Sequence, residues 1–165
     1  HLDRIRALGV SWATIGELGR NHYGFGVARV CDAGDGLYYP GAGEPGLILP
    51  IYEDGELVDL CAIRSRDPLN WFLRTGFGWA LGLEEGLGRH TWGEPVPMAV
   101  SPLEWLQRSA EGLCILDWDA PEIHFLADIP HLVCRSGTLA KRLRAALAKP
   151  IRLPLISVGE SRVAA

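Results

Sequence analysis

The sequence predicts an α+β fold in which two short helices and a small antiparallel sheet precede an α/β unit with a mainly parallel sheet. Three observations carry this expectation. Residues 2–18 space apolar side chains for helices, residues 24–81 hold short β-rich runs parted by Gly, Asp and Pro, and residues 96–158 alternate strand-like runs with helix-starting signals. At 165 residues the chain suffices for a domain with its own core. It reads as one compact unit with two parts, 1–93 and 94–165.

The N-terminal pair comes first. Leu2, Ile5 and Leu8, then Trp12, Ile15 and Leu18, fall at helical spacings interrupted by Gly9, with Ser11 as N-cap of the second helix and Gly19 as its stop. Two short helices and a turn suggest a helix-turn-helix. No helix rich in Arg, Lys, Asn and Gln follows to reach base edges, so the pair reads as a packing element.

Five runs make the small antiparallel sheet: 27–30, 37–39, 47–52, 57–63 and 71–73. The sharpest local signal is 51–58, where Asp54-Gly55 supplies the positive φ of a two-residue hairpin turn. Gly82, Gly86, Gly88 and Gly93 then predict a loop over 82–93.

The α/β unit follows, with strands at 96–100, 113–117, 131–134 and 152–158. Ser101-Pro102-Leu103-Glu104 joins an N-cap, a proline at the first helical position and an acid in the first turn. Pro121 seeds a second helix. Gly137 opens a third, with Leu139, Leu143 and Ala146 inward and Lys141, Arg142 and Arg144 outward.

Composition narrows the function classes. Hydrophobic residues make up 48% and charged residues 22%, and the net charge of −4 argues against a surface that is basic throughout. No apolar stretch approaches the roughly 20 residues of a membrane span, so the expectation is a soluble, cytoplasmic protein without a membrane partner. Cys31, Cys61, Cys114 and Cys134 form no C-x-x-C pair, which speaks against structural zinc, and the last three sit in apolar runs as small buried hydrophobes. Nucleotide-cofactor loops are missing from the sequence: there is no G-x-x-x-x-G-K-[ST], and Gly24-x-Gly26 lacks a third glycine. His22, His90, His124 and His131 are dispersed.

The run Leu47 to Leu60, an apolar-Pro-apolar strand meeting an acidic-Gly turn, resembles the hairpin before the Toprim domain of bacterial and phage DNA primases, and 96–158 looks like a Toprim domain placed after it. The resemblance spans about two-thirds of the chain and implies a primase-related protein, of phage or prophage type, acting on nucleic acid. In Toprim enzymes a glutamate ends the first strand and Asp-x-Asp ends a later one, because magnesium takes several hard carboxylate oxygens. Here the first strand ends in Ser101-Pro102 and the third in Arg135-Ser136-Gly137. The implied module is a degenerate one without catalytic residues or cofactor.

Asp117-Trp118-Asp119 is the one Asp-x-Asp present, and it falls on the second strand. As a magnesium pair, Asp117 and Asp119 would serve a metal-dependent nucleotidyl-transfer enzyme; as a loop cap, Asp119 would be the N-cap ahead of Pro121. Two surfaces suit nucleic acid. Arg135, Lys141, Arg142, Arg144, Lys149 and Arg152 form a run with no intervening acid, whereas 32–67 holds eight acids against Arg64 and Arg66. Arg64, Arg66 and Arg74 stand near Trp71 and Phe72, a mixture that stacks bases and contacts phosphates. The expected partner is nucleic acid or a replication protein. A structural or protein-interaction α+β domain is the reading from a different class.

Overall fold

The computed structural model of the protein describes residues 2–20, 24–64 and 66–150. The expected last strand, 152–158, lies outside the described residues.

Two helices, α1 (Leu2–Ala7) and α2 (Trp12–Arg20), lead into β1 (Gly26–Gly34), β2 (Leu37–Pro40), β3 (Glu44–Glu53), β4 (Glu56–Arg64) and β5 (Trp71–Leu73). Gly9 turns the chain between the helices at φ +86°, and the Ser11 hydroxyl caps α2 by accepting the Thr14 N–H at 3.0 Å. Gly19 does not stop α2, which runs one residue further to Arg20. The five strands match the expected runs, but they close into a barrel in the order β1-β2-β5-β4-β3. Closure comes from a parallel contact, Leu37 against Leu73, so the expected purely antiparallel sheet is corrected there. Asp54 (φ 52°) and Gly55 (φ 79°) make the β3–β4 turn.

Alternation sorts the barrel's two faces. Val30, Tyr38, Ile48, Ala62 and Phe72, one from each strand, meet in a small cluster that fills its inside. Leu47, Leu49, Ile51, Cys61, Ile63 and Leu73 point outward into a larger core with Ile5, Ile15 and Leu18 of the N-terminal helices. β4 is thus covered on both faces, which explains its nearly unbroken apolar run.

The second sheet comprises β6 (Ala80–Leu81), β7 (Val96–Ala99), β8 (Leu113–Ile115) and β9 (Leu132–Cys134), in the order β6-β8-β7-β9. β7 pairs in parallel with both β8 and β9, as expected of a mainly parallel sheet, and β6 runs antiparallel to β8. β6 therefore pairs across the expected 93/94 boundary. The face bearing Leu81, Ala99, Cys114 and Leu116 packs into the barrel-side core with Leu103 and Leu106 of α4 (Pro102–Gln107). The opposite face, with Val96, Met98, Leu113 and Ile115, packs against a 3-10 helix (Pro121–Asp128) and α5 (Gly137–Leu147). Each fully buried Leu or Ile contributes about 1.5–3 kcal/mol.

The segment expected as a loop is instead α3 (Leu83–Thr91). The usual penalty of a helical glycine, about 1 kcal/mol, is outweighed at Gly86, where a Cβ would stand 2.7 Å from Leu113 Cγ: only glycine lets the helix lie this close to β8. Glu84 accepts the Gly55 N–H at 2.6 Å, and Glu85 accepts that of Gly112, tying α3 to the barrel and to β8. The helix seeded by Pro121 is 3-10 rather than α, and its N-cap is Ala120 with no side-chain cap. Asp119 is therefore not the N-cap.

Candidate nucleic-acid interface

α5 is built to show a basic face. Ser136 caps it by accepting the Leu139 N–H, and Leu139, Leu143 and Ala146 are buried against the second sheet and the 3-10 helix. Burial of that stripe turns Lys141, Arg142 and Arg144 outward, and Arg135 is exposed just before the helix. Arg135, Lys141 and Arg144 have no ion pair among the described residues. Between residues 129 and 150 there are five Lys and Arg side chains and no acid.

Two of these five cations reach the loop that follows β8. The Arg142 guanidinium lies 4.2 Å from the centroid of the buried Trp118 ring, a cation–π contact. Lys149 donates to Asp119 at 2.8 Å, and this hydrogen bond holds the Asp119 carboxyl below its ordinary range. Asp117 and Asp119 nevertheless part company. Asp117 turns back to accept the Asp119 N–H at 2.9 Å and lines a cleft with Trp71 and Thr75, while Asp119 lines a pocket with His124 and Lys149. Among the described residues no three His, Cys, Asp or Glu side chains gather where they would hold a metal ion. The positions that the Toprim resemblance aligns with metal ligands hold Ser101, which caps α4 by accepting the Glu104 N–H at 3.2 Å, and Arg135 before the α5 cap. A hydroxyl and a guanidinium do not fit a magnesium site of that kind.

On the second basic surface Arg66 and Arg74 stay exposed, and each arginine also has a partner within the fold. The Arg64 guanidinium stacks on Phe72 at 4.3 Å with its Nε buried, Arg66 pairs with Glu44 at 3.1 Å, and the Trp71 indole donates to the Leu116 carbonyl at 3.2 Å. The Arg74 guanidinium donates to the Tyr38 carbonyl at 3.4 Å. These residues lie on the barrel side of the second sheet and α5 on the other, so the two surfaces do not form one cleft.

Sequence reasoning missed Asp59. It is only 4% exposed, and its carboxylate accepts five backbone N–H groups: Leu60 (2.7 Å), Arg74 (3.1 Å) and Thr75 (2.9 Å) on Oδ1, Gly76 (2.9 Å) and Gly78 (3.0 Å) on Oδ2. Burial pushes its pKa up, but the N–H groups, led by Gly78, outweigh burial and the net shift is downward. The signal was an acid inside the apolar run 57–63, followed by a glycine-rich segment with donors to spare. The loop it fastens presents Phe77, 80% exposed.

Cys61 and Cys114 are buried, and burial pushes their thiols up, whereas Cys31 and Cys134 are half-buried. Trp79, Trp105 and Trp118 belong to the core, while Trp12 and Trp92 are exposed. No helix among the described residues is long and apolar enough to cross a membrane. No protein-family model, curated protein or solved structure matches the chain.

Proposed function

We propose that the chain is a non-catalytic, primase-related module that binds nucleic acid through the exposed face of α5, either alone or beside a replication partner. The observation that carries this reading is the exposed basic set Arg135, Lys141, Arg142 and Arg144, on a stretch of sequence without acids in a chain of net charge −4. Local positive charge on a net-negative chain favours a phosphate backbone at one place and disfavours it elsewhere. Three parallel strands alternating with helices over 96–147 are compatible with the Toprim resemblance, and the capping roles of Ser101 and Ser136 support a module without a metal site.

The test is fluorescence anisotropy of labelled single-stranded DNA and RNA over a salt series, with and without magnesium. Lys141→Glu/Arg144→Glu is expected to weaken binding at least tenfold, and the salt slope of wild type to be unchanged by magnesium. Arg64→Ala/Arg66→Ala/Arg74→Ala is expected to keep most of the affinity. Absence of binding at low salt, or loss only in the second variant, would refute the reading.

A second reading, a protein-docking domain, is favoured by one observation. A buried carboxylate puts four hydrogen bonds into holding a loop whose side chain Phe77 has almost no cover. Aromatic anchors on rigid loops are a common means of engaging a partner protein.

A further inference from the structure

We infer that the pocket between the C-terminal end of α5 and the start of the 3-10 helix receives one unstacked base of the bound strand, with Asp119 accepting from the amino group of that base. This rests on the reading of α5 as a phosphate-binding face and adds what a row of cations lacks, a place that distinguishes a base from a bare backbone.

The pocket is continuous with the basic face. Arg142 on α5 and Lys149, two residues past the end of that helix, both reach the loop after β8. Arg142 reaches Trp118 and Lys149 reaches Asp119, the two residues that wall one side of the pocket. A strand whose phosphates follow Lys141 and Arg142 reaches the pocket with Arg142 and Lys149 on its border.

The opposite wall comes from the 3-10 helix. With three residues per turn, Pro121 and His124 share one ridge, and both line the pocket. Glu122, Phe125 and Asp128 share another ridge, and its two acids repel phosphate there. The strand is thus confined to the α5 side, where His124 and Pro121 line the pocket it meets. Its volume of about 520 Å3 lies within the range of roughly 300–1,000 Å3 that small-molecule sites occupy.

Asp119 supplies the recognition. Lys149 takes Oδ1 and balances its charge, and the Asp119 side chain, 86% exposed where it borders the pocket, leaves Oδ2 with its lone pairs available. A carboxylate accepts from exocyclic amino groups of bases and from no atom of a phosphodiester. Guanine, cytosine and adenine carry such a group, and thymine does not.

The experiment compares four short fluorescein-labelled single strands of equal length and phosphate count at fixed salt: guanine-rich, cytosine-rich, thymine-only and abasic. Wild type is expected to bind the guanine-rich or the cytosine-rich strand about tenfold more tightly than the abasic one, with thymine between. Asp119→Asn and His124→Ala are each expected to reduce that ratio to within twofold while the abasic strand still binds, and unchanged thermal unfolding of the variants shows that they fold. Equal binding of all four strands by wild type, or a base preference that survives in both variants, would overturn the pocket and leave the α5 reading standing. Failure of every strand to bind would overturn both.

Discussion

Asp59→Asn isolates a single atom of the structure. Asparagine keeps Oδ1, with its N–H donors from Leu60, Arg74 and Thr75, but places an amide NH2 where Oδ2 receives Gly76 and Gly78. Two charge-assisted bonds are lost and two buried donors are left facing a donor. At roughly 1.5 kcal/mol each the loss comes to about 3 kcal/mol near neutral pH. The pH dependence gives the prediction a sign. The Asp59 carboxyl is lowered in the folded protein, so its contribution is present above the unfolded value of about 3.9 and disappears as pH falls through the folded value. Urea unfolding of wild type and Asp59→Asn at pH 7, 5, 4 and 3 is expected to show a gap of about 3 kcal/mol that is steady down to pH 5 and shrinks below pH 4. A gap under about 0.5 kcal/mol at pH 7, or one that widens in acid, would refute the reasoning. Hydrogen exchange adds a local check, because the amides of 75–78 should lose protection before those of β4.

Other outcomes follow from the same structure. Gly86→Ala, stabilising in an ordinary helix, is expected to destabilise by about 1–3 kcal/mol because its Cβ meets the buried Leu113 side chain; thermal denaturation measures this, and a gain in stability would mean that α3 and β8 lie further apart than described. Tyr38 is held mostly by burial at a pKa raised to about 12 from 10.0. Being raised in the folded state, it adds stability that is full below pH 10 and lost as pH climbs toward 12; ultraviolet titration of wild type against Tyr38→Phe should show no Tyr38 ionisation below about pH 11. Ser101→Ala removes the α4 cap and is expected to cost about 1 kcal/mol in chemical denaturation; no change would show that Glu104, which accepts the Val100 N–H at 2.7 Å, secures the turn alone.

Much of this fold could be read because its signals are local. Asp54-Gly55 fixes its own turn, and Ser101-Pro102 starts its own helix. The parallel strands β7, β8 and β9 declare themselves as short apolar runs between helix starts. Barrel closure could not be read, because it depends on one pairing, Leu37 with Leu73, between strands far apart in the chain. α3 escaped for the opposite reason: its glycines were counted against a helix, although Gly86 is there because the helix must lie against Leu113. At the candidate interface, residue type found the basic helix, since an acid-free run is visible in sequence. Which face of the second sheet each arginine occupies is decided by long-range packing, and that separated Arg64, Arg66 and Arg74 from α5. The contrast between Asp117 and Asp119 was likewise hidden, because Lys149 lies 30 residues beyond its partner.

The most direct test of nucleic-acid binding through α5 is backbone chemical-shift mapping of the isotope-labelled full chain titrated with a short single-stranded oligonucleotide at low salt. The account predicts that shifts concentrate at Arg135, at 137–149 and around Asp119 and His124, while the amides of β1 to β5 stay in place. Shifts confined to the barrel and the 64–78 segment, or none at saturating oligonucleotide, would contradict it.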